Sequence, residues 1–318
     1  MEAPSGKTNS NLQGLPLAER AREWLQFSAM RLRGITRRDD YGWLWGNLEE
    51  YARLLQKYAG KALIDADVFE IGFGARPYRL MALCSLGVNA RGVDLDQPVL
   101  QGRAAEFATI LRQNGWERWL KSVVRFHIFD WKQRLDLRRA LQARKRALVV
   151  DPARFLVGDA AGDDLNHRLA PQSLDLIYSE DVFEHVPAES LPKLVQNMAR
   201  WLRPRGLALI RPNIFTGITG SHLLEWYGHR VGDQAPRRSE PWEHLRKNRF
   251  TANTFLNGLT RADYRKIFSA HFAIRDEVVA APELGRAWLT PALRAELSAY
   301  SDEELFSNNV LFVLTPKA

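Results

Sequence analysis

Val68-Phe-Glu70-Ile-Gly72-Phe-Gly74-Ala-Arg-Pro77, followed after one helical run by Ala90-Arg-Gly-Val-Asp94-Leu-Asp96, is the stretch whose reading decides the fold. An apolar run ends in Glu70, a Gly-x-Gly turn follows, and a second apolar run ends in Asp94. The pattern is strand, tight loop, helix, strand. Leu80, Leu83 and Cys84 space like one helical face, Pro77 suits a first helical turn, and Gly87 suits a C-cap. The two glycines permit a sharp turn and a close ligand approach. A carboxylate at the end of the second strand is placed to accept hydrogen bonds from ribose hydroxyls. A dinucleotide fingerprint needs a third small residue, and Pro77 stands there instead. Glu70 adds negative charge beside the loop, which favours a cationic nucleoside over a pyrophosphate.

Further motifs follow in order. They are Phe155-Leu-Val-Gly-Asp159-Ala160, Leu174-Asp-Leu-Ile-Tyr-Ser-Glu180-Asp-Val-Phe-Glu-His185-Val, and Trp201-Leu-Arg-Pro-Arg-Gly206-Leu-Ala-Leu-Ile. With the opening stretch they cover roughly residues 66–212, and the chain resembles a class I S-adenosylmethionine-dependent methyltransferase. That resemblance implies an α/β, Rossmann-like three-layer sandwich. Its sheet is expected to be mostly parallel and seven-stranded, with an antiparallel last strand, N-terminal helices and inserted cap segments. It implies S-adenosyl-L-methionine as cofactor, held by Glu70, Gly72, Gly74, Asp94, Asp159 and Ala160, with Glu180 at the end of strand four. It does not imply the acceptor.

The chain has 318 residues, 46% hydrophobic and 26% charged, an ordinary globular composition. One cysteine, Cys84, excludes an internal disulfide framework and a cysteine-rich metal site. No apolar run approaches the ~20 residues of a membrane-spanning helix, and the first residues lack a signal-peptide core. The cytoplasm is the simplest compartment. The net charge of +8 is carried by residues 97–150, where twelve Lys/Arg face four Asp/Glu.

Residues 1–15 read as a disordered tail and 16–318 as one domain. Within it, 16–60 reads as a helical cap with helices over 16–34 and 41–59. Residues 97–150 read as a basic insertion with helices near 98–113 and 133–148. Strands are expected at 67–71, 89–94, 154–158, 174–179 and 206–211, with two more near Phe272 and over 310–314. A helix spans 190–202. The segment 212–260, rich in Gly, Pro, His and Trp, reads as an acceptor-side insertion or lid.

Ligands of open parallel sheets bind at the carboxyl ends of the strands, so residues after strands four and five are favoured for acceptor chemistry. His222 and His185 are the candidate bases, because an unperturbed imidazole titrates near neutrality; His229 and His244 are weaker. Asn213 and Trp226 are candidate acceptor contacts. The histidines and acids match no recognised metal spacing, so no metal is expected. Arg134, Arg138, Arg139, Arg144, Lys145 and Arg146 flank Leu137, Leu141 and Leu148, a basic amphipathic pattern suited to an anionic surface over 134–148 or to phosphates. No RNA-binding module is recognisable, so nucleic acid is a minority expectation. The favoured acceptor is a hydroxyl of a small molecule or saccharide-type glycan. The alternatives are an RNA methyltransferase using the basic insertion and a non-catalytic methyltransferase-like scaffold.

Overall fold

The computed structural model describes residues 39–227, 237, 239–249 and 254–317. The expected tail over 1–15, the helix over 16–34 and His229 lie outside them. Seven strands hydrogen-bond in the order β3-β2-β1-β4-β5-β7-β6: β1 Asp67–Ile71, β2 Asn89–Asp94, β3 Phe155–Val157, β4 Leu174–Glu180, β5 Leu202–Arg211, β6 Phe272–Val279 and β7 Val310–Pro316. β1 runs parallel to β2 and β4, β2 runs parallel to β3, and β7 is antiparallel. This is the expected α/β, Rossmann-like architecture with a mostly parallel seven-stranded sheet. Among the described residues the chain forms two compact units. One holds 39–179, 196–209 and 315–317, and the other 180–195 and 210–314.

In the first unit, helix α1 (Gly42–Ala59) buries Leu44, Leu48, Tyr51 and Leu55, whose spacing makes one stripe. It stops at Gly60, in the left-handed region at φ 68°. β1 and β4 sit centrally in the sheet and are covered on both faces, so that all seven residues of β4 are buried, Asp175, Ser179 and Glu180 among them. The crossover helix α2 (Tyr78–Leu86) starts just after Pro77 and ends at Gly87, whose N–H reaches the carbonyls of Leu83 and Cys84. Pro77 therefore sits at the cap position, one residue ahead of the first turn.

The basic insertion folds differently from the expected pair of helices. Helix α3 (Ala104–Arg125) begins late because Glu106 accepts the backbone N–H groups of Leu100, Gln101 and Arg103, a capping arrangement. It kinks at Gly115 and passes through a π-helical turn at Phe126–Asp130 into helix α4 (Trp131–Gln142). α4 ends early because Lys145 turns left-handed at φ 57° and the Arg146 N–H returns to the Leu141 carbonyl. Leu137 and Leu141 are fully buried. Arg134 donates to the carbonyls of Val99 and Leu100, Arg139 bonds Asp136, and Arg144 lies over the Trp45 ring. The apolar line of this helix is thus core, and several of its arginines already have protein partners. No described helix is long and apolar enough to cross a membrane.

Helix α5 (Leu191–Trp201) buries Leu191, Leu194, Val195, Met198 and Trp201. β5 starts at Leu202 rather than at 206. Arg203 anchors its early end, 2.8 Å from Asp67 Oδ2 and 2.6 Å from Asp175 Oδ2. In the second unit, helix α6 (Arg261–Ser269) is capped by Thr260, whose hydroxyl accepts from the Asp263 N–H. Tyr264 and Phe268 on that helix pack with Phe312 of β7. Ile218, Leu223, Trp226, Trp242, Leu297, Leu305 and Phe306 form a further apolar cluster.

Candidate functional site

Gly72 and Gly74 lie at φ 77° and 66°, the left-handed region that favours glycine. The Gly72 N–H donates to the Val93 carbonyl at 2.8 Å, extending the β1–β2 pairing into the loop. The Gly74 N–H donates to Asp94 Oδ2 at 2.7 Å, and the Asp96 N–H donates to Asp94 Oδ1 at 2.9 Å. Burial pushes the Asp94 carboxyl up from its ordinary range, opposed by N–H bonds from Gly74 and Leu95 and by the Arg118 charge. Glu70 is buried at the end of β1, with Arg79 Nη1 3.9 Å from its Oε1. It stands opposite Gly92 of β2, where an added Cβ would press against the Glu70 carbonyl and Leu80 Cδ2 at 3.0 Å.

Asp159 follows β3 and accepts the Ala161 N–H on Oδ1 at 2.8 Å. Asn197 of α5 holds this loop from behind, donating to the carbonyls of Ala160 and Gly162 at 3.0 and 3.2 Å. Asn166 donates to Asn197 and accepts the Trp201 indole N–H. The first unit thus carries an open glycine loop, an acid bonded to it and a braced acidic loop. Sequence reading passed over Leu95, which is 72% exposed directly after Asp94. Its signal was an apolar residue between two acids at a strand end.

In the second unit, Glu180 is buried with Arg211 Nε 3.1 Å from its Oε2. Asp181 turns left-handed at φ 57°, and its N–H donates to the Arg211 carbonyl. This turn leads into one 3-10 turn at Phe183–His185. Asn257 clamps that turn, its side chain donating to the carbonyls of Phe183 and Val186 and its backbone N–H to the Glu184 carbonyl. Glu184 therefore points from a rigid turn, and it is 1% exposed.

Asn213 organises what surrounds Glu184. Its Nδ2 donates to Glu184 Oε1 at 2.6 Å and to Asp181 Oδ1 at 2.9 Å. Its Oδ1 accepts from Asn309 Nδ2 at 3.0 Å, and the Tyr227 hydroxyl lies 3.0 Å away. Burial drives the Glu184 carboxyl well above the usual carboxylate range, and the Asp181 charge adds to this. Glu184 Oε2 is buried with no hydrogen-bond partner.

His185 and His222, far apart in sequence, lie together, with ring centroids 4.8 Å apart. His185 Nδ1 is 2.9 Å from the Phe255 carbonyl, and His222 Nε2 is 4.0 Å from Glu184 Oε1. Glu184, His185 and His222 each bring one ligand atom within 4.8 Å of the others. Glu184 is the residue that sequence reading missed; its only signal was its place beside His185 after a buried strand. Trp226 is 3% exposed in the apolar cluster, and its indole N–H bonds Ser239 Oγ. His244 is buried against Gly220, with Nε2 2.9 Å from the Phe215 carbonyl, and burial lowers it to about 4.

The sequence profile of the methyltransferase-domain family matches residues 132–210, from α4 through the Asp159 loop, β4 and the Glu184–His185 turn to β5. No curated protein matches the chain. Solved structures with similar layout include an S-adenosylmethionine-dependent methyltransferase of Clostridium acetobutylicum, 13% identical, covering 94% of this chain and 99% of that one at a TM-score of 0.46. A protein of Pyrococcus horikoshii is 14% identical, covering 86% and 90% at a TM-score of 0.42. A TehB-like S-adenosylmethionine-dependent methyltransferase of Corynebacterium glutamicum is 14% identical, covering 87% and 96% at 0.39. Over residues 132–210, which hold its third strand, acidic loop and fourth strand, the chain matches a methyltransferase domain, a type whose methyl donor is S-adenosyl-L-methionine.

Proposed function

We propose that the chain methylates a hydroxyl oxygen of a small molecule or saccharide-type glycan. The bound cofactor supplies an electrophilic methyl group on a sulfonium. Gly72, Gly74, Asp94, Asp159 and Ala160 hold it, with Glu70 supplying negative charge and Leu95 an apolar face for the base. A hydroxyl must shed its proton as its oxygen attacks, so its site needs proton-accepting or acidifying groups, worth roughly 10²–10⁴ in rate. The observation that carries the reading is the grouping of Glu184, His185 and His222, with Glu184 fixed by Asn213. Glu184 and His185 follow β4 and His222 follows β5, and open parallel sheets bind ligands beyond their strands' carboxyl ends.

The test incubates the purified chain with methyl-labelled S-adenosylmethionine and fractionated cell extract. Label in an alkali-stable ether within the small-molecule or glycan fraction is the expected result. Label confined to RNA, or to nitrogen or carbon, would replace this reading. RNA carrying the label would need the arginines of 134–148, of which Arg134, Arg139 and Arg144 are engaged within the protein.

A further inference from the structure

We infer that Glu184, His185 and His222 bind one first-row divalent transition-metal ion, which in turn holds the acceptor's oxygen. The inference deepens the hydroxyl-methylation reading and rests on it only for the last clause.

Three observations point to a cation. The ligand atoms of the three residues lie within 4.8 Å of one another. Ligands about 2.1 Å from one ion in tetrahedral geometry lie ~3.4 Å apart, so side-chain closure of up to about 1.4 Å completes the set. Second, Glu184 Oε2 is buried and has no hydrogen-bond partner, while Oε1 is anchored by Asn213 at 2.6 Å. Left ionised there, Oε2 would need positive charge, because a buried, unpaired carboxylate is costly. A cation answers that requirement.

Third, the surroundings orient the ligands as outer-shell partners do. The Phe255 carbonyl at 2.9 Å takes the Nδ1–H of His185, which leaves Nε2 with its lone pair for an ion. Asn257 fixes the turn that carries Glu184 and His185. Asp181, linked to Glu184 through the Asn213 amide, adds a second negative charge.

Two imidazoles and one carboxylate suit Zn²⁺, Fe²⁺, Mn²⁺ or Co²⁺ better than Mg²⁺ or Ca²⁺, which prefer oxygen ligands. Three protein ligands leave open positions. A hydroxyl bound there becomes more acidic and releases its proton to solvent, so the protein needs no separate base.

The test uses the full chain without a polyhistidine tag, stripped by a chelator and titrated with ZnCl₂ against a chromophoric competitor. One equivalent should bind, with affinity at least tenfold weaker in Glu184→Gln and in His222→Asn. S-adenosylmethionine affinity, measured in the same samples, should be unchanged and reports that the variants are folded. His222 is less buried than Glu184, so its variant keeps the test valid if Glu184→Gln does not fold. Wild-type protein that binds zinc no more tightly than His222→Asn overturns the site. Stripped protein that methylates a hydroxyl at full rate removes the ion's role and leaves the acceptor reading standing. Zinc binding with no hydroxyl methylated from any pool keeps the site and removes the acceptor reading.

Discussion

The backbone N–H of Gly74 is bonded to the carboxylate of Asp94 at 2.7 Å, across twenty residues of sequence. The loop after β1 and the acid after β2 are therefore one structure before any ligand arrives. Asp94→Asn keeps the size and one oxygen but loses the charge. Hydrogen bonds to charged groups contribute roughly 1.5–3 kcal/mol, so S-adenosylmethionine should bind about 10- to 100-fold more weakly. Calorimetry checks this, and affinity within twofold of wild type would remove Asp94 from the cofactor's contacts.

Gly92 allows β1 and β2 to pair with Glu70 buried between them. Gly92→Ala presses a methyl against the Glu70 carbonyl and Leu80, each 3.0 Å from the new Cβ. Overpacking of this kind costs about 1–3 kcal/mol, to be read from urea unfolding. Unchanged stability would mean that the β1–β2 spacing adjusts freely.

His244 makes stability depend on pH. Burial holds its imidazole down to about 4, against 6.5 for an ordinary histidine. Below pH 6.5 the unfolded chain takes up a proton that the folded chain refuses. Stability from this group is complete above that pH and falls by about 3 kcal/mol as pH drops toward 4. His244→Gln should flatten that part of the pH–stability curve; an unaltered slope would contradict the assignment.

Cys84 should resist alkylation in the native protein. Burial raises its thiol to about 11, and the side chain is 8% exposed. At pH 8 roughly one thiol in a thousand is ionised, and that fraction is shielded. Labelling by iodoacetamide should appear only with unfolding; rapid native labelling would place the thiol at the surface.

The strand–loop–helix core was legible because its signals are local. Gly72, Gly74 and Gly87 each meet a left-handed backbone requirement, and apolar periodicity marks α1, α2 and α5. Where long-range contacts decide, local reading fell short. The Arg203-Pro-Arg-Gly206 segment has turn chemistry, yet it extends β5 because Arg203 finds Asp175 and also Asp67, 136 residues before it. The insertion helices were displaced by Glu106 capping one end and Lys145 turning the other. Of the acceptor-side cluster, the two histidines were visible as residue types. Glu184 was not, because its burial and its bond to Asn213 exist only after residues 184 and 213 are folded together.

Asn213 spends both amide hydrogens on carboxylates and turns its oxygen toward Asn309 and Tyr227. The amide can sit only one way round, since a flip would set its oxygen against two acids. The pair of acids is thereby held at fixed orientation. A group that docks against them meets partners that cannot turn aside, so it is chosen by the match of its own donors and acceptors to an arrangement set in advance.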